Sequence, residues 1–257
     1  RWGTYGNAVF HIVDIRVDLL RNPLRAIRKL VAKARKDAAA EEAIIQSELR
    51  ATLSRAGITT LFFPASSIYP NGLTGMNILT TIFDLQHEYL PENFSKRNLA
   101  ARREVFGYIA EHSNHIIAIS EYTKKTMARV YSLPTEKISV IYLAPETAET
   151  QASDTPLPKR FIFYPAALWP HKNHKLLIEA LARLSKEFPD LHVVFTGVIK
   201  KESIKEELLA LAEGLGIADK VHMLGFVPEG VVRSLYQKAA LMVFPSSFEG
   251  FGIPVVE

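Results

Sequence analysis

From about residue 58 onward, short apolar runs alternate with longer segments in which apolar residues recur at helical spacing. Most short runs are continuously apolar, as expected of strands covered on both faces of a parallel sheet. The predicted strands are ITTLFF (58–63), ILTTIF (78–83), HIIAIS (115–120), ISVIYL (138–143), RFIFYP (160–165), LHVVFT (191–196), KVHML (220–224) and LMVFP (241–245). The predicted helices cover residues 97–112, 121–131, 172–188, 201–215 and 229–239, with Ser120 as the N-cap of the second. This alternation predicts an α/β fold in which helices cover parallel sheets.

One segment, PETAETQASDTPLPK (145–159), interrupts the alternation because it is polar, rich in proline and without apolar periodicity. We interpret residues 147–159 as a linker between an N-terminal domain, 1–146, and a C-terminal domain, 160–257. Each domain is predicted to contain its own Rossmann-like, doubly wound sheet. Ligands of such sheets bind beyond the carboxyl ends of the strands, so we expect the functional residues in loops that follow strands.

We expect both domains to be incomplete in this sequence. Residues 160–257 hold few strands for a doubly wound domain, and its next helix is expected to begin where the sequence stops. The first part of the chain contains VFHIVDI (9–15) and a long helical segment, but no glycine-rich turn of a dinucleotide-binding domain.

The composition is that of a soluble globular protein, since 48% of the 257 residues are hydrophobic and 23% are charged. The absence of cysteine excludes disulfide bonds and thiolate chemistry, and it agrees with a reducing compartment. No apolar stretch approaches the roughly 18 residues of a membrane span, and we predict a cytoplasmic protein. The net charge of +4 favours anionic ligands such as nucleotides, phospholipid or nucleic acid, without choosing among them.

The motif with the most chemical content is FPSSFEGFGIPVVE, residues 244–257. It continues the apolar run LMVFP, places Gly250 and Gly252 in a loop, and ends in IPVVE, which is predicted to begin a helix. A helix N-terminus and a glycine-lined loop expose backbone N–H groups, which favours a bound phosphate. The carboxylates of Glu249 and Glu257 are suited to accept hydrogen bonds from sugar hydroxyls. A ligand with both phosphate and sugar hydroxyls satisfies the whole motif, which predicts a nucleotide sugar.

The same motif resembles the two-glutamate signature of the retaining GT-B glycosyltransferases of family 4. Other stretches resemble further parts of that family, most closely its mannosyltransferase-type members, and the likeness extends over about residues 58–257. These stretches are TIFDLQHEYLPENFS (81–95), AISEYTKKTM (118–127), WPHKNHKLLIEALARL (169–184) and LGFVPEGVVRSLYQKAALMVFPSSFEGFG (224–252). The resemblance implies two Rossmann-like domains that face a cleft, the first binding the acceptor and the second the nucleotide sugar.

The resemblance also implies roles for individual residues. Glu257 would bind the ribose hydroxyls, Glu249 would contact hydroxyls of the transferred sugar, and Lys172 would neutralise the diphosphate as its charge grows in the transition state. The other donor-binding residues are Asn173 beside Lys172, the backbone of Gly250, Phe251 and Gly252, and Phe226 and Val227 of the loop LGFVP, which packs against the base. The resemblance implies a nucleotide-sugar donor substrate and no separate cofactor; GDP-mannose is the foremost candidate, and the base and the sugar of the donor stay open.

The sequence departs from the family pattern before the phosphate lysine, where Ala166 and Ala167 replace the usual glycine and arginine. One cationic contact to the diphosphate is therefore missing or is supplied by another residue, for which Lys175 and Arg160 are the candidates. Either another residue binds the diphosphate in place of the missing cation, or the enzymatic activity is weak.

In the first domain, FDLQH places Asp84 and His87 directly after a predicted strand, where both are expected to face the cleft. The family often has a histidine there against the transferred sugar or the acceptor, and either residue could fill that catalytic role. Retaining members show no protein nucleophile, and the leaving phosphate deprotonates the acceptor on the same face of the sugar. We therefore assign no general base.

Simpler interpretations of these residues stay open. Lys172 at the start of a helix opposes the helix dipole, which is costly unless an anion binds there. His87 is as compatible with a structural histidine as with a site residue, and His171 and His174 are predicted to face solvent. No cluster of histidine and carboxylate residues has metal-ligand spacing, so we expect no metal site and no requirement for metal.

The stretch RNPLRAIRKLVAKARK (21–36) predicts a basic amphipathic helix, since its apolar residues fall on one face and it contains no acid. Such a helix could contact an anionic membrane peripherally and bring the protein to a lipid-linked acceptor. The alternative is a helix packed on its own domain with a solvated basic face. Nucleic acid is not a predicted partner, because no nucleic-acid-binding module is recognisable.

We therefore predict a GT-B enzyme, a retaining hexosyltransferase that moves a hexose, foremost mannose from GDP-mannose, to a glycan or lipid-linked acceptor. One alternative is a nucleotide-sugar epimerase of the same fold, which needs acid and base groups at the sugar ring but no acceptor groove. Another is a catalytically silent scaffold that binds a nucleotide sugar. Transfer to an added acceptor distinguishes the enzyme from both.

Overall fold

A computed structural model of the chain describes residues 38–69, 71–73, 75–145 and 156–257. The predicted segments VFHIVDI (9–15) and the basic helix (21–36), and most of the predicted linker, lie outside these residues. The chain forms two compact units. The first contains the described residues up to Ile82, Arg103–Ile117 and Leu133–Ser139, and the second contains Phe83–Arg102, Ala118–Ser132 and Val140–Glu257.

The first half of the described chain forms a four-stranded sheet with the order β1-β2-β3-β4. Its strands are β1 (Thr60–Phe63), β2 (Asn77–Ile82), β3 (His115–Ala118) and β4 (Ile138–Val140), and its helices are α1 (Ala38–Arg55), α2 (Gln86–Tyr89), α3 (Lys96–His112) and α4 (Glu121–Tyr131). Strands β1 and β2 pair in parallel, as predicted. The short helix α2 was not predicted, because four residues are too few to show helical periodicity.

The C-terminal half forms a second four-stranded sheet with the order β7-β6-β5-β8, in which every pair is parallel. Its strands are β5 (Arg160–Pro165), β6 (Leu191–Thr196), β7 (Val221–Met223) and β8 (Leu241–Met242), and its helices are α5 (His174–Leu184), α6 (Glu202–Gly214) and α7 (Glu229–Lys238). All eight predicted strands of the chain are present, although β8 is shorter than predicted. The α/β character with parallel pairing is therefore confirmed.

Side chains of β5 alternate between two apolar layers, which explains the continuous apolar run. Ile162 and Tyr164 belong to the cluster that α5 and α6 cover, whereas Phe161 and Phe163 pack with Leu235 of α7. Helices thus cover both faces of the sheet, so its strands must be apolar at consecutive positions. Among the helices of the described residues, none combines the length and the apolar character needed to cross a bilayer.

Gly197, directly after β6, allows the backbones that follow neighbouring strands to meet closely. Its φ is 132°, and a Cβ atom there would lie 2.5 Å from the carbonyl carbon of Ala166. The N–H of Gly197 also donates to the carbonyl of Gly225 at 2.8 Å. Both the dihedral angle and the space therefore require glycine at this position.

Replacing Gly197 by alanine should lower the free energy of unfolding by about 2 kcal/mol or more, because the new methyl group meets backbone atoms at a strained dihedral angle. Urea denaturation of Gly197→Ala measures the effect. Gly214→Ala is the matched control, since nothing lies within 4 Å of the added atom at the end of α6. Equal stability of the two variants would contradict the steric argument.

His174, the first residue of α5, is buried, so the prediction that it faces solvent is wrong. Its imidazole packs against Tyr164 and Phe195 with ring centroids 4.9 and 5.1 Å apart, and its Nε2 lies 3.2 Å from the carbonyl oxygen of Ala166. Burial lowers the pKa of His174 to about 4 from its ordinary value of 6.5. The sequence places this residue beside other polar positions, and only the packing of the helix onto β5 shows that it is inside.

The unfolded chain binds a proton at His174 near pH 6.5, whereas the folded chain binds it only near pH 4. The stability due to the neutral histidine is therefore complete above about pH 6.5 and is lost as the pH falls towards 4, by up to about 3 kcal/mol. Urea denaturation across this range should show a smaller loss for His174→Gln than for the unchanged protein. The same pH dependence in both proteins would contradict the assignment.

Candidate functional site

The strand order of the second sheet reverses between β5 and β8, and the loops that follow these strands lie side by side. The side-chain amide of Asn173 donates to the carbonyl of Pro245 at 2.7 Å. The N–H of Ser247 donates to the carbonyl of His171 at 2.9 Å. In open parallel sheets a reversal of this kind forms a crevice at the carboxyl ends of the strands, where ligands bind.

Lys172 and Glu249 meet at this reversal, as the predicted shared site requires. Lys172 ends a short 3₁₀ turn, Pro170–Lys172, and its Nζ is hydrogen-bonded to Oε1 of Glu249. The side chains are 18% and 26% exposed, so the pair is accessible to a ligand while being partly desolvated. The Nζ atom also lies 5.8 Å from the centre of the Phe244 ring. The ammonium group of Lys172 and the carboxylate of Glu249, which can accept hydrogen bonds from hydroxyl groups, thus lie at the same place.

Asn173 lies beside Lys172 and turns the chain into α5. It has a left-handed backbone, with φ of 56° and ψ of 37°, which asparagine tolerates better than most residues. Because its amide bonds to Pro245, Asn173 joins the two loops. The helix begins at His174 and not at residue 172 as predicted, so Lys172 belongs to the preceding turn.

Glu257 is exposed and is held by a tyrosine of α7. The hydroxyl of Tyr236 donates to Oε2 of Glu257 at 2.8 Å and lies 3.2 Å from the carbonyl oxygen of Pro254. Burial raises the pKa of Tyr236, and the neighbouring Glu257 carboxylate raises it further, so the phenol remains a donor. The segment before Glu257 is a 3₁₀ turn, Ile253–Val255, where the start of an α-helix was predicted.

The loop Gly250–Gly252 follows Glu249 directly. The Gly250 carbonyl accepts hydrogen bonds from the side chains of Ser120 and Thr123. Phe251 places its ring 6.0 Å from that of Tyr142, and Gly252 has a φ of 87°, in the region that favours glycine. Gly250 therefore allows a close approach, since a Cβ atom there would meet the carbonyl oxygen of Phe83, whereas Gly252 provides a backbone turn.

Of the two residues after β2, Asp84 lies next to this loop, whereas His87 is buried. The Cβ of Asp84 is 3.2 Å from the position of a Cβ built on Gly250, and its carboxylate accepts the N–H of Gln86 at 2.9 Å. His87 is 0% exposed, with its Nε2 3.7 Å from a carboxylate oxygen of Glu88. A ligand has no surface of His87 to contact in this conformation, which favours the structural interpretation of that histidine.

Phe226 and Val227 occupy the loop after β7 with opposite environments. Phe226 is 81% exposed, whereas Val227 packs against the core under α7. An exposed aromatic ring at the carboxyl end of a parallel strand is available for stacking. The predicted contact with a base therefore falls to Phe226 more than to Val227.

Arg160 does not lie where a second cation for a diphosphate is needed. It begins β5, so it is separated from Pro165 at the carboxyl end of that strand by roughly 16 Å. Its Nη1 lies 3.4 Å from Oδ1 of Asp190. Lys175 in the first turn of α5 pairs with Glu179 at 3.7 Å. The structure thus excludes Arg160, and Lys175 stays a prediction.

Sequence reasoning also missed residues of this site. His171 was predicted to face solvent, but its Nδ1 is buried and has no hydrogen-bond partner among the residues that the structure describes. Burial lowers the pKa of His171, and the positive charge of Lys172 lowers it further, against the opposing effect of Glu249 and Asp84. The available signal was its position directly before Lys172. Ser120 was recognised only as a helix cap, and Tyr236 had no signal of its own.

Among the described residues, no group of three or more histidine, cysteine, aspartate or glutamate side chains is arranged to hold a metal ion.

Comparison with known proteins adds to this geometry. The model of the family "Glycosyl transferases group 1" matches residues 146–257. The O-antigen chain mannosyltransferase RfbU of Salmonella typhimurium is 28% identical over 182 residues, which cover 70% of this chain and 49% of that protein. A serotype-specific mannosyltransferase, WbdA, of Escherichia coli is 31% identical over 160 residues, which cover 57% of this chain and 20% of that protein. The chain therefore spans half or less of the length of these relatives.

Among solved structures, the lipopolysaccharide outer core galactosyltransferase WaaB superposes with a TM-score of 0.58 at 18% identity, over 86% of this chain and 59% of that one. This similarity concerns the fold, and it confirms the predicted GT-B class. In sequence, residues 146–257 are thus similar to the glycosyl transferases group 1 family, over somewhat less than half of the chain.

Proposed function

We propose that the protein is a glycosyltransferase that moves a hexose from a nucleotide sugar to a glycan or lipid-linked acceptor with retention of configuration. The observation that carries the proposal is the meeting of Lys172 and Glu249 at the reversal of the second sheet. The match of residues 146–257 to the glycosyl transferases group 1 family supports it. In the reaction, the bond between the sugar C1 and the phosphate oxygen breaks, and the acceptor oxygen bonds to C1 and loses its proton to the leaving phosphate.

The site contains a suitable group for each part of such a donor. The ammonium of Lys172 can exchange Glu249 for a diphosphate, whose negative charge increases as the sugar leaves. Glu249, released from the lysine, can accept hydrogen bonds from the sugar, and Glu257 can accept them from the ribose. Phe226 offers its exposed ring to the base. These roles are proposals that rest on the placement of the groups.

We infer mannose and GDP as the foremost donor components because the two relatives are named mannosyltransferases. The name of RfbU refers to an O-antigen chain and that of WaaB to the lipopolysaccharide outer core, which supports a glycan or a lipid-linked glycan as acceptor. We further propose that the reaction needs no metal, with Lys172 providing the charge that would otherwise stabilise the leaving group.

Calorimetric titration with GDP-mannose, UDP-glucose, UDP-N-acetylglucosamine and ADP-glucose, with and without magnesium, tests the donor. We expect GDP-mannose to bind best, with the same affinity in both buffers. Glu257→Gln should weaken that binding by about tenfold, because an amide is a weaker acceptor for the ribose hydroxyls than a carboxylate. Unchanged binding in this variant would remove the ribose role of Glu257.

The diphosphate role of Lys172 has its own test. Lys172→Met should weaken binding of GDP by about tenfold to a hundredfold, through the loss of a charge-assisted hydrogen bond in a partly desolvated site. Lys205→Met is the matched control, because this lysine lies in α6 and pairs with Glu202 of its own helix at 2.7 Å. The same loss in both variants would point to a general effect of net charge and contradict the specific contact.

Assays of the products separate the alternatives. Radiolabelled mannose that appears on an added glycan or lipid-linked acceptor supports a transferase. Conversion of the donor sugar into its epimer without an acceptor indicates an epimerase, and binding without either reaction indicates a scaffold. If no nucleotide sugar binds, the replacement of the usual glycine and arginine by Ala166 and Ala167 prevents donor binding in spite of the motif at 244–257. The enzyme proposal is then abandoned.

A further inference from the structure

Two hydroxyl groups from one helix hold the carbonyl group of Gly250. The Oγ of Ser120 donates to this oxygen at 2.5 Å, and Oγ1 of Thr123 lies within hydrogen-bond distance of it at 3.2 Å. A carbonyl oxygen has two lone pairs and can accept both bonds, and the single hydroxyl hydrogen of Thr123 is shared between two acceptors. Thr123 is also 3.2 Å from the carbonyl of Phe83, and Ser120 caps α4 by accepting the N–H of Thr123 at 3.0 Å. The helix cap and the loop after β8 therefore share one hydrogen-bond network.

Contacts with a neighbouring backbone and with aromatic side chains also hold the loop that contains Gly250. A Cβ atom on Gly250 would lie 2.0 Å from the carbonyl oxygen of Phe83, so the two backbones are in direct contact and only glycine fits. Two residues earlier, Phe248 is buried, with its ring centre 5.4 Å from that of Tyr89 and 5.7 Å from that of Tyr122. The loop thus has little freedom to rotate about the Gly250 peptide.

The orientation of this carbonyl determines that of the next N–H group. A peptide bond is planar and trans, so the Gly250 carbonyl and the Phe251 N–H point in opposite directions. With the carbonyl directed at Ser120 and Thr123, the Phe251 N–H points away from α4. It has no acceptor among the described residues, and it lies two residues after Glu249, which pairs with Lys172.

We propose that Ser120 and Thr123 are positioning residues for the donor phosphate. Their hydroxyls hold the Gly250 peptide so that the N–H of Phe251 is presented to a phosphate oxygen that Lys172 binds. The inference rests on the proposed function and deepens it, because it assigns part of phosphate recognition to side chains that do not touch the ligand. A backbone donor that cannot turn loses little entropy when the anion arrives.

The test compares three threonine variants of the whole chain. Thr123→Val removes the hydroxyl and keeps the shape, and Thr123→Ser keeps the hydroxyl. Thr126→Val is the control, since Thr126 is equally buried in the same helix and its hydroxyl donates to the carbonyl of Thr123 at 2.9 Å. Ser120→Gly removes the shorter bond with little cost to the helix cap, and it serves if Thr123→Val does not fold.

Dissociation constants are measured by calorimetry for GDP, UDP and ADP, and then for the monophosphate of the nucleoside that binds best. In Thr123→Val the diphosphate should bind about tenfold more weakly, while the monophosphate should change much less, because the lost contact serves the phosphate nearest the sugar. Thr123→Ser should restore diphosphate binding, and Thr126→Val should bind both ligands as the unchanged protein does. Ser120→Gly should resemble Thr123→Val.

Failure of this inference differs from failure of the proposed function. If the unchanged protein binds a nucleoside diphosphate and Thr123→Val binds it equally well, the positioning role is wrong and the transferase proposal stands. Equal weakening of diphosphate and monophosphate binding, or no recovery in Thr123→Ser, would show a general structural role and also overturn it. If the unchanged protein binds no nucleoside diphosphate, both proposals fail.

Discussion

The parallel hydrogen bonding of β5 along both of its edges is the constraint on which the candidate site depends. Because β5 pairs with β6 on one side and β8 on the other, the loops after β5 and β8 emerge at the same edge of the sheet. That geometry brings Lys172 and Glu249 together although 77 positions separate them in the sequence. Any change that moved β8 to another position in the sheet would separate the cation from its carboxylate.

Close backbone contacts make this arrangement specific. Gly197 lets the chain after β6 touch that after β5, and Gly250 lets the loop after β8 lie against the carbonyl of Phe83. At each of these positions a single methyl group would meet backbone atoms, which have little room to yield. The loops of the candidate site are therefore held by the main chain as well as by side chains, which agrees with a preformed site for the proposed phosphate.

The electrostatics of the loop after β5 leave Lys172 as its dominant positive charge. Burial lowers the pKa of both His171 and His174, so both imidazoles are largely neutral at physiological pH. The positive charge of Lys172 is compensated by the carboxylate of Glu249. A bound phosphate would replace that carboxylate and free it for the hydroxyls of a sugar, so one ion pair can respond to both parts of a donor.

The sequence alone determined the parallel α/β class, the positions of the strands and the two loops that carry the candidate site. Continuous apolar runs and glycine-flanked carboxylates are patterns of neighbouring residues, so they can be recognised from the sequence alone. Only the tertiary structure decided which polar residues point into that site. It buried His87 and His174, placed Arg160 at the far end of β5, and joined Ser120 and Thr123 to Gly250. Burial and long-range hydrogen bonds depend on how helices pack onto the sheet, and sequence spacing does not contain that information.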